Sequence, residues 1–116
     1  MYKFNRNIAE RCGVNAAIVA QLIWDSIETS NYDGYSYFHD EMRWCRCSVQ
    51  MMTGIFPFLS HHMIKDALSV LIKKKIIEKG CFNESKFDRT NWYVFTELGN
   101  YIMTGGGSDE GFEDYE

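Results

Sequence analysis

A single proline constrains the fold of this chain more than any other residue, because it stands between two segments with helical periodicity. The residue before a proline avoids the helical region, so a helix capped by Ser48 is expected to end just before Pro57. Ser60 is the next N-cap candidate, and the letters between the two helices are only FPFL. Two helices joined by so short a link must cross steeply, which is typical of a helix-turn-helix.

The segments around this pair complete the predicted fold. Asn15 is expected to cap an earlier helix, and Arg43 to Cys47 form a short strand. After the second helix of the pair the hydrophobic period changes from 3.6 to 2, and two β-rich stretches flank the polar letters ESKFDRT. A last short helix is expected to begin at Thr96. The sequence therefore predicts an α+β, mainly α, fold: a winged helix-turn-helix with a C-terminal β-hairpin as its wing.

Composition and charge divide the chain into a body and a tail. At 116 residues and 46% hydrophobic, the chain fits one domain, which we assign to residues 1–104. Residues 105–116 have the composition of an acidic disordered tail. Five of the 16 acidic residues lie in the last nine positions, and the remainder carries 12 basic and 11 acidic residues. The segment from Ser60 to Thr90 has seven basic and four acidic residues, so a local basic surface is expected there.

Several functional classes are disfavoured by the motifs. Cys45 and Cys47 form a C-x-C pair without the knuckle spacing of zinc sites, and they are expected to be small apolar residues on one face of a strand. The sequence has no nucleophile elbow and no phosphate-cradling glycine loop between a strand and a helix. We therefore expect no enzyme, metal or cofactor. The apolar run from Ala16 to Trp24 is too short to span a bilayer, and no export signal is recognised, so a cytoplasmic protein without membrane contact is expected.

The second helix of the pair is the candidate DNA-reading element. Its apolar stripe is expected to be buried, and its other side is expected to face bases and phosphates in the major groove. The apolar stripe comprises Ile64, Ala67, Leu68 and Leu71. The predicted DNA-binding residues are His61, His62, Lys65, Asp66, Ser69 and Lys73 on the helix, with Lys86 and Arg89 on the wing.

Each of these positions also has a simpler interpretation. The polar face fits the solvated side of any amphipathic helix, and Lys73, Lys74 and Lys75 fit cations that offset the negative end of the helix dipole. Asp66 would repel phosphates unless it accepts from a cytosine amino group or pairs with Lys65 or a neighbouring lysine. In the wing, the neutral donors considered are Asn83 and Ser85.

Four stretches, in this order along the chain, carry a family resemblance: NAAIVAQLIW, FPFLS, ALSVLIKKKII and FDRTNWY. With them the chain resembles the winged-helix region of replication-initiation, or replisome-organiser, proteins from bacteriophages, plasmids and mobile elements of Gram-positive bacteria. The resemblance implies a DNA-binding or replisome-assembly module. In longer members of that family a second domain recruits the helicase loader.

Three functions remain open at this point. The first is binding of double-stranded DNA in replication initiation of a mobile element. The second is a winged helix for protein contacts, in which the segment Tyr32 to Phe38 and the first helix mediate self-association or replisome scaffolding. The third is a transcriptional regulator of the same fold. The expected partners are accordingly double-stranded DNA, a second copy in a homodimer, and replisome proteins.

Overall fold

Helices and strands alternate along the chain in the computed structural model, which describes residues 2–28, 36–39, 42–83, 86–87, 90–104 and 112–115. Most of the residues in regular structure are helical, so the described part of the chain is α+β and mainly α, as predicted. The elements are β1 (Tyr2–Asn5), α1 (Arg6–Cys12), α2 (Val14–Glu28), β2 (Ser36–His39), β3 (Met42–Arg46), α3 (Val49–Ile55), α4 (His61–Lys73), β4 (Ile77–Gly80), β5 (Trp92–Phe95), α5 (Glu97–Met103) and β6 (Phe112–Tyr115).

Short polar side chains set the starts of the helices. Ser48 Oγ accepts a hydrogen bond from the Met51 amide at the start of α3, and Ser60 Oγ accepts one from the Met63 amide at the start of α4, both at 3.1 Å. Thr96 Oγ1 accepts from the Gly99 amide at 2.9 Å and caps α5. These three predicted helix starts are confirmed, because N-caps are local signals.

The start of α2 differs from the prediction. The helix begins at Val14, so Asn15 lies inside its first turn. The reason is Gly13, whose φ of 98° ends α1 and lets α2 follow at once. Its amide donates to Ala9 O at 2.8 Å, which closes the last turn of α1.

The link between α3 and α4 is as short as predicted. α3 ends at Ile55, and Phe56 before the proline has a φ of −118° and a ψ of 77°, outside the helical region. The Leu59 amide then donates to Phe56 O at 2.9 Å, so the link is a hydrogen-bonded turn. Phe56 and Leu59 are buried, and they anchor this turn to the core.

Two antiparallel sheets occur in the described residues. The larger has the strand order β2-β3-β5-β4, and the predicted hairpin pairs Ile77 with Phe95 and Gly80 with Trp92. The smaller sheet pairs β1 with β6. Residues 112–115 are therefore a strand, which differs from the disordered tail expected there, because the backbone of β1 gives them hydrogen-bonding partners. Residues 105–111 and 116 lie outside the described residues.

One main core lies between the helices and one face of the larger sheet. α2 packs against α4, β1 and α1, which confirms its central place. The predicted apolar stripe of α4 is fully confirmed, since Ile64, Ala67, Leu68 and Leu71 are all buried. In the described ranges, none of the helices is long and apolar enough to cross a membrane.

Candidate nucleic-acid interface

The polar face of α4 is open to solvent along its whole length. At about 100° per residue, its predicted DNA-binding side chains fall within an arc of about 140°, opposite the buried stripe. Because the stripe fixes the helix on the core, this face is held outward on a rigid element. The exposed residues of the predicted set are His61, His62, Lys65, Asp66, Ser69 and Lys73.

An ion pair joins two of these residues. His62 Nε2 lies 3.2 Å from Asp66 Oδ2, and their side chains are 84% and 66% exposed. The spacing is i, i+4, which places both side chains on one face of the helix. Asp66 therefore pairs with a histidine, rather than with Lys65 as considered from the sequence. The pair offsets the repulsion between the carboxylate and phosphates only while the histidine is protonated.

The C-terminus of α4 is closed by a backbone motif that usually contains glycine. The Ile76 amide donates to Leu71 O at 2.9 Å and the Lys75 amide donates to Ile72 O at 3.0 Å, which is the Schellman pattern. Lys75 has a φ of 63°, the left-handed conformation that non-glycine residues rarely adopt. Lys73, Lys74 and Lys75 are exposed, so three cations lie at the negative end of the α4 dipole.

We predict that the Lys75→Gly variant is more stable than Lys75→Ala by about 1 kcal/mol, because alanine retains the left-handed cost and glycine removes it. Comparing the two variants cancels the loss of the charge. At Lys74, where φ is −82°, the order should reverse. Urea unfolding of the four variants measures the differences, and equal stability of the two Lys75 variants would contradict the assigned backbone conformation.

The base of the β4–β5 hairpin is fixed by one amide side chain. Asn83 Oδ1 accepts hydrogen bonds from Arg46 Nε at 2.9 Å and from Trp92 Nε1 at 2.8 Å. Its Nδ2 donates to Thr90 O at 2.8 Å, across the loop. Asn83 therefore connects both ends of the hairpin loop to the sheet. It serves the fold, whereas the sequence suggested a neutral donor to DNA; Ser85, the other such donor, lies outside the described residues.

An aromatic cluster supports the same base from the other face of the sheet. The Phe82 ring packs edge-to-face on Trp44, with ring centroids 4.9 Å apart, and on Trp92 at 5.4 Å. The two tryptophans and Val94 form a small buried cluster separate from the main core. The prediction that Trp44 and Trp92 pack internally is confirmed, which leaves them outside any stacking surface for bases.

The hairpin loop carries two described residues at its outer part. Lys86, predicted to contact DNA, is exposed, and Phe87 beside it is 95% exposed. Arg89, the other predicted wing contact, lies outside the described residues. Sequence reasoning did not select Phe87 as a functional residue. The available signal was an aromatic residue inside the charged stretch ESKFDRT, where no alternating pattern calls for it.

The cysteines of β3 and its end are buried. Cys45 and Cys47 are both 0% exposed, as expected for small apolar residues on one strand face. Burial raises the pKa of Cys45 to about 11, and burial together with the neighbouring Cys45 raises that of Cys47 to about 12. Both thiols are therefore protonated at neutral pH, a state that disfavours nucleophilic attack and metal binding. Among the described residues, no three His, Cys, Asp or Glu side chains are grouped to hold a metal ion.

A shallow groove lies beside the segment considered for protein contacts. It is lined by Trp24, Ile27, Met42, Val94 and Phe95 among others. The Trp24 ring meets Phe95 edge-to-face, with centroids 5.2 Å apart. Of the predicted interface segment Tyr32 to Phe38, residues 32–35 lie outside the described residues.

Comparison with known proteins adds no identity to this geometry. Searches of protein-family models, curated proteins and solved structures found no match. The function is therefore inferred from the chain's own residues and their arrangement.

Proposed function

We propose that the protein binds double-stranded DNA as a winged helix-turn-helix domain. In this proposal α3 and α4 are the helix-turn-helix, α4 enters the major groove, and the β4–β5 hairpin is the wing. The observation that carries the proposal is the polar face of α4, which is fully open to solvent while the opposite stripe is buried. A role in replication initiation of a phage, plasmid or mobile element is part of the proposal and rests on the sequence resemblance.

The charges of the surface suit contact with phosphates. Lys65 and Lys73 lie on the exposed arc of α4, and Lys86 lies on the proposed wing. Ser60 to Thr90 carries an excess of three basic residues, whereas the body as a whole is close to neutral. A local basic surface on a near-neutral body favours one defined docking face over general attraction to polyanions.

A salt titration tests the proposal. Fluorescence anisotropy with a labelled mixed-sequence duplex should show affinity that falls steeply between about 50 and 200 mM salt, because phosphate contacts release counterions. The Lys65→Ala variant should reduce the slope of log affinity against log salt by about one. Arg6→Gln is the matched control, since it removes a cation that pairs with Glu10 on α1 at 3.2 Å.

The outcomes separate DNA binding from the alternatives. Absence of duplex binding by the unmodified protein at about 50 mM salt would reject the proposal. Equal salt slopes for Lys65→Ala and Arg6→Gln would remove α4 from the interface. A transcriptional regulator would bind DNA through the same surface, so this role is distinguished by where selected binding sites lie relative to promoters or replication origins.

The second candidate function is a protein-interaction module. The observation in its favour is a group of half-exposed apolar side chains near the α3–α4 turn: Met51 is 41%, Phe58 50% and Met63 37% exposed. Such side chains are common at protein interfaces. Sedimentation equilibrium should then show concentration-dependent dimers that Phe58→Ser weakens, with no duplex binding.

A further inference from the structure

The outer part of the β4–β5 hairpin presents an aromatic ring that the fold does not use. Phe87 is 95% exposed, whereas the other exposed large hydrophobic side chains range from Met63 at 37% to Tyr101 at 57%. A ring this exposed adds almost no buried area to the folded state. The reason for an aromatic residue at this position therefore lies outside the stability of the fold.

The neighbour of Phe87 indicates what kind of surface it meets. Lys86 is also exposed, so an apolar ring and a cation leave the hairpin together. Burying both in a dry protein interface would leave the ammonium group without water or a partner. A DNA groove offers both environments within a few ångströms, because phosphates flank every stacked base step.

The hairpin is held like a stiff arm at its base. Asn83 connects the backbone at Thr90 to Arg46 and Trp92, and Phe82 packs on the tryptophan pair. Gly80 allows this packing, since a Cβ there would lie 2.6 Å from the Phe82 ring. Because both ends of the loop are already ordered on the sheet, docking its outer part requires less loss of conformational entropy.

We infer that Phe87 is a wedge that inserts between base pairs from the minor groove of double-stranded DNA, with Lys86 on the adjacent phosphate. The inference rests on the proposed function, and it adds a deformation of the DNA that phosphate contacts alone do not produce. Apolar side chains inserted in this way partially unstack one base step and bend the duplex toward the major groove. Flexible pyrimidine–purine steps, such as TA, are the expected insertion points.

Two spectroscopic signals test the wedge on a duplex of about 30 base pairs, shorter than the persistence length of DNA. Energy transfer between dyes at the two ends reports bending, and 2-aminopurine at a central TA step reports unstacking. The unmodified protein should raise both signals at saturation. Phe87→Ala should abolish both and weaken duplex affinity about tenfold, a loss comparable with that of one base–aromatic contact.

Matched variants isolate the role of the ring. Phe87→Leu should retain bending, since leucine also acts as a wedge. Lys86→Ala should lower the salt slope but keep the 2-aminopurine signal. Tyr101→Ala removes another exposed aromatic residue, on α5, and should behave like the unmodified protein. All four variants should keep the thermal unfolding midpoint, which shows that any loss of signal is not a loss of fold.

The results distinguish failure of the wedge from failure of DNA binding. Duplex binding without bending or unstacking would overturn the wedge and leave the proposed function in place, as would a Phe87→Ala variant that bends DNA normally. Equal losses on single-stranded and duplex DNA would assign Phe87 to base stacking on single strands and also overturn it. Absence of duplex binding by the unmodified protein would reject both proposals.

Discussion

Replacing Gly99 with alanine is expected to destabilise the folded protein by about 3 kcal/mol, the upper end of the usual cost of overpacking. A Cβ at this position would overlap the carbonyl oxygen of Ile76 and lie 2.9 Å from Phe95 Cδ1. The carbonyl cannot easily withdraw, because it accepts a hydrogen bond from the Thr96 amide at 3.0 Å. Gly99 is thus required by the close approach of α5 to the segment that follows α4.

The measurement is urea unfolding followed by circular dichroism, with Gly54→Ala as the matched control. Gly54 is an exposed residue in α3, and a Cβ there would meet nothing within 4 Å. That substitution should stabilise the protein by about 0.5–1 kcal/mol, because alanine loses less backbone entropy on forming a helix. Equal stability of Gly99→Ala and the unmodified protein would contradict the packing of α5.

The contact at Gly99 also bears on the proposed DNA surface. Thr96 Oγ1 donates to the carbonyl oxygens of Lys75 and Ile76, at 2.5 and 3.2 Å. These are the residues at which the chain leaves α4 and enters the hairpin. α5 therefore holds the junction between the two proposed DNA-contacting elements, although it carries no predicted contact itself.

The pair α3–α4 could be predicted from the sequence because its signals are local. Ser48 and Ser60 hydrogen-bond within three residues, and Pro57 restricts only its neighbour. The buried stripe of α4 follows from helical periodicity alone. For the same reason, the outward direction of His62 and Lys65 was predictable once that stripe was assigned to the core.

The contacts that organise the hairpin could not be predicted, because they depend on tertiary packing. Asn83 reads as a loop residue in the sequence, but its four hydrogen-bonding partners include Arg46, 37 positions away. The left-handed conformation of Lys75 was equally hidden, since that position is usually glycine. The pairing of β6 with β1 joins the two ends of the described chain, and a segment's own composition carries no information about such a partner.

The second large effect concerns pH. Raising the pH from 9 to 11 is expected to lower the free energy of unfolding by about 5 kcal/mol through Cys45 and Cys47. Their pKa values are raised from 9.0 to about 11 and about 12, first by burial in the core. Above pH 9 the unfolded chain releases both protons while the native state keeps them. Because the native state then binds more protons, stability is full below pH 9 and falls as the pH rises.

The test compares pH slopes instead of absolute stabilities, because each cysteine substitution also alters core packing. Urea unfolding between pH 8 and 10.5 under reducing conditions should give a fall of about 2.7 kcal/mol per pH unit from the two thiols together. The Cys45→Ala/Cys47→Ala variant should lose that part of the slope, while lysines and tyrosines, including Tyr93, contribute equally to both proteins. Cys81→Ala removes an exposed thiol and should leave the slope unchanged. Parallel slopes for the double variant and the unmodified protein would contradict the burial of these thiols.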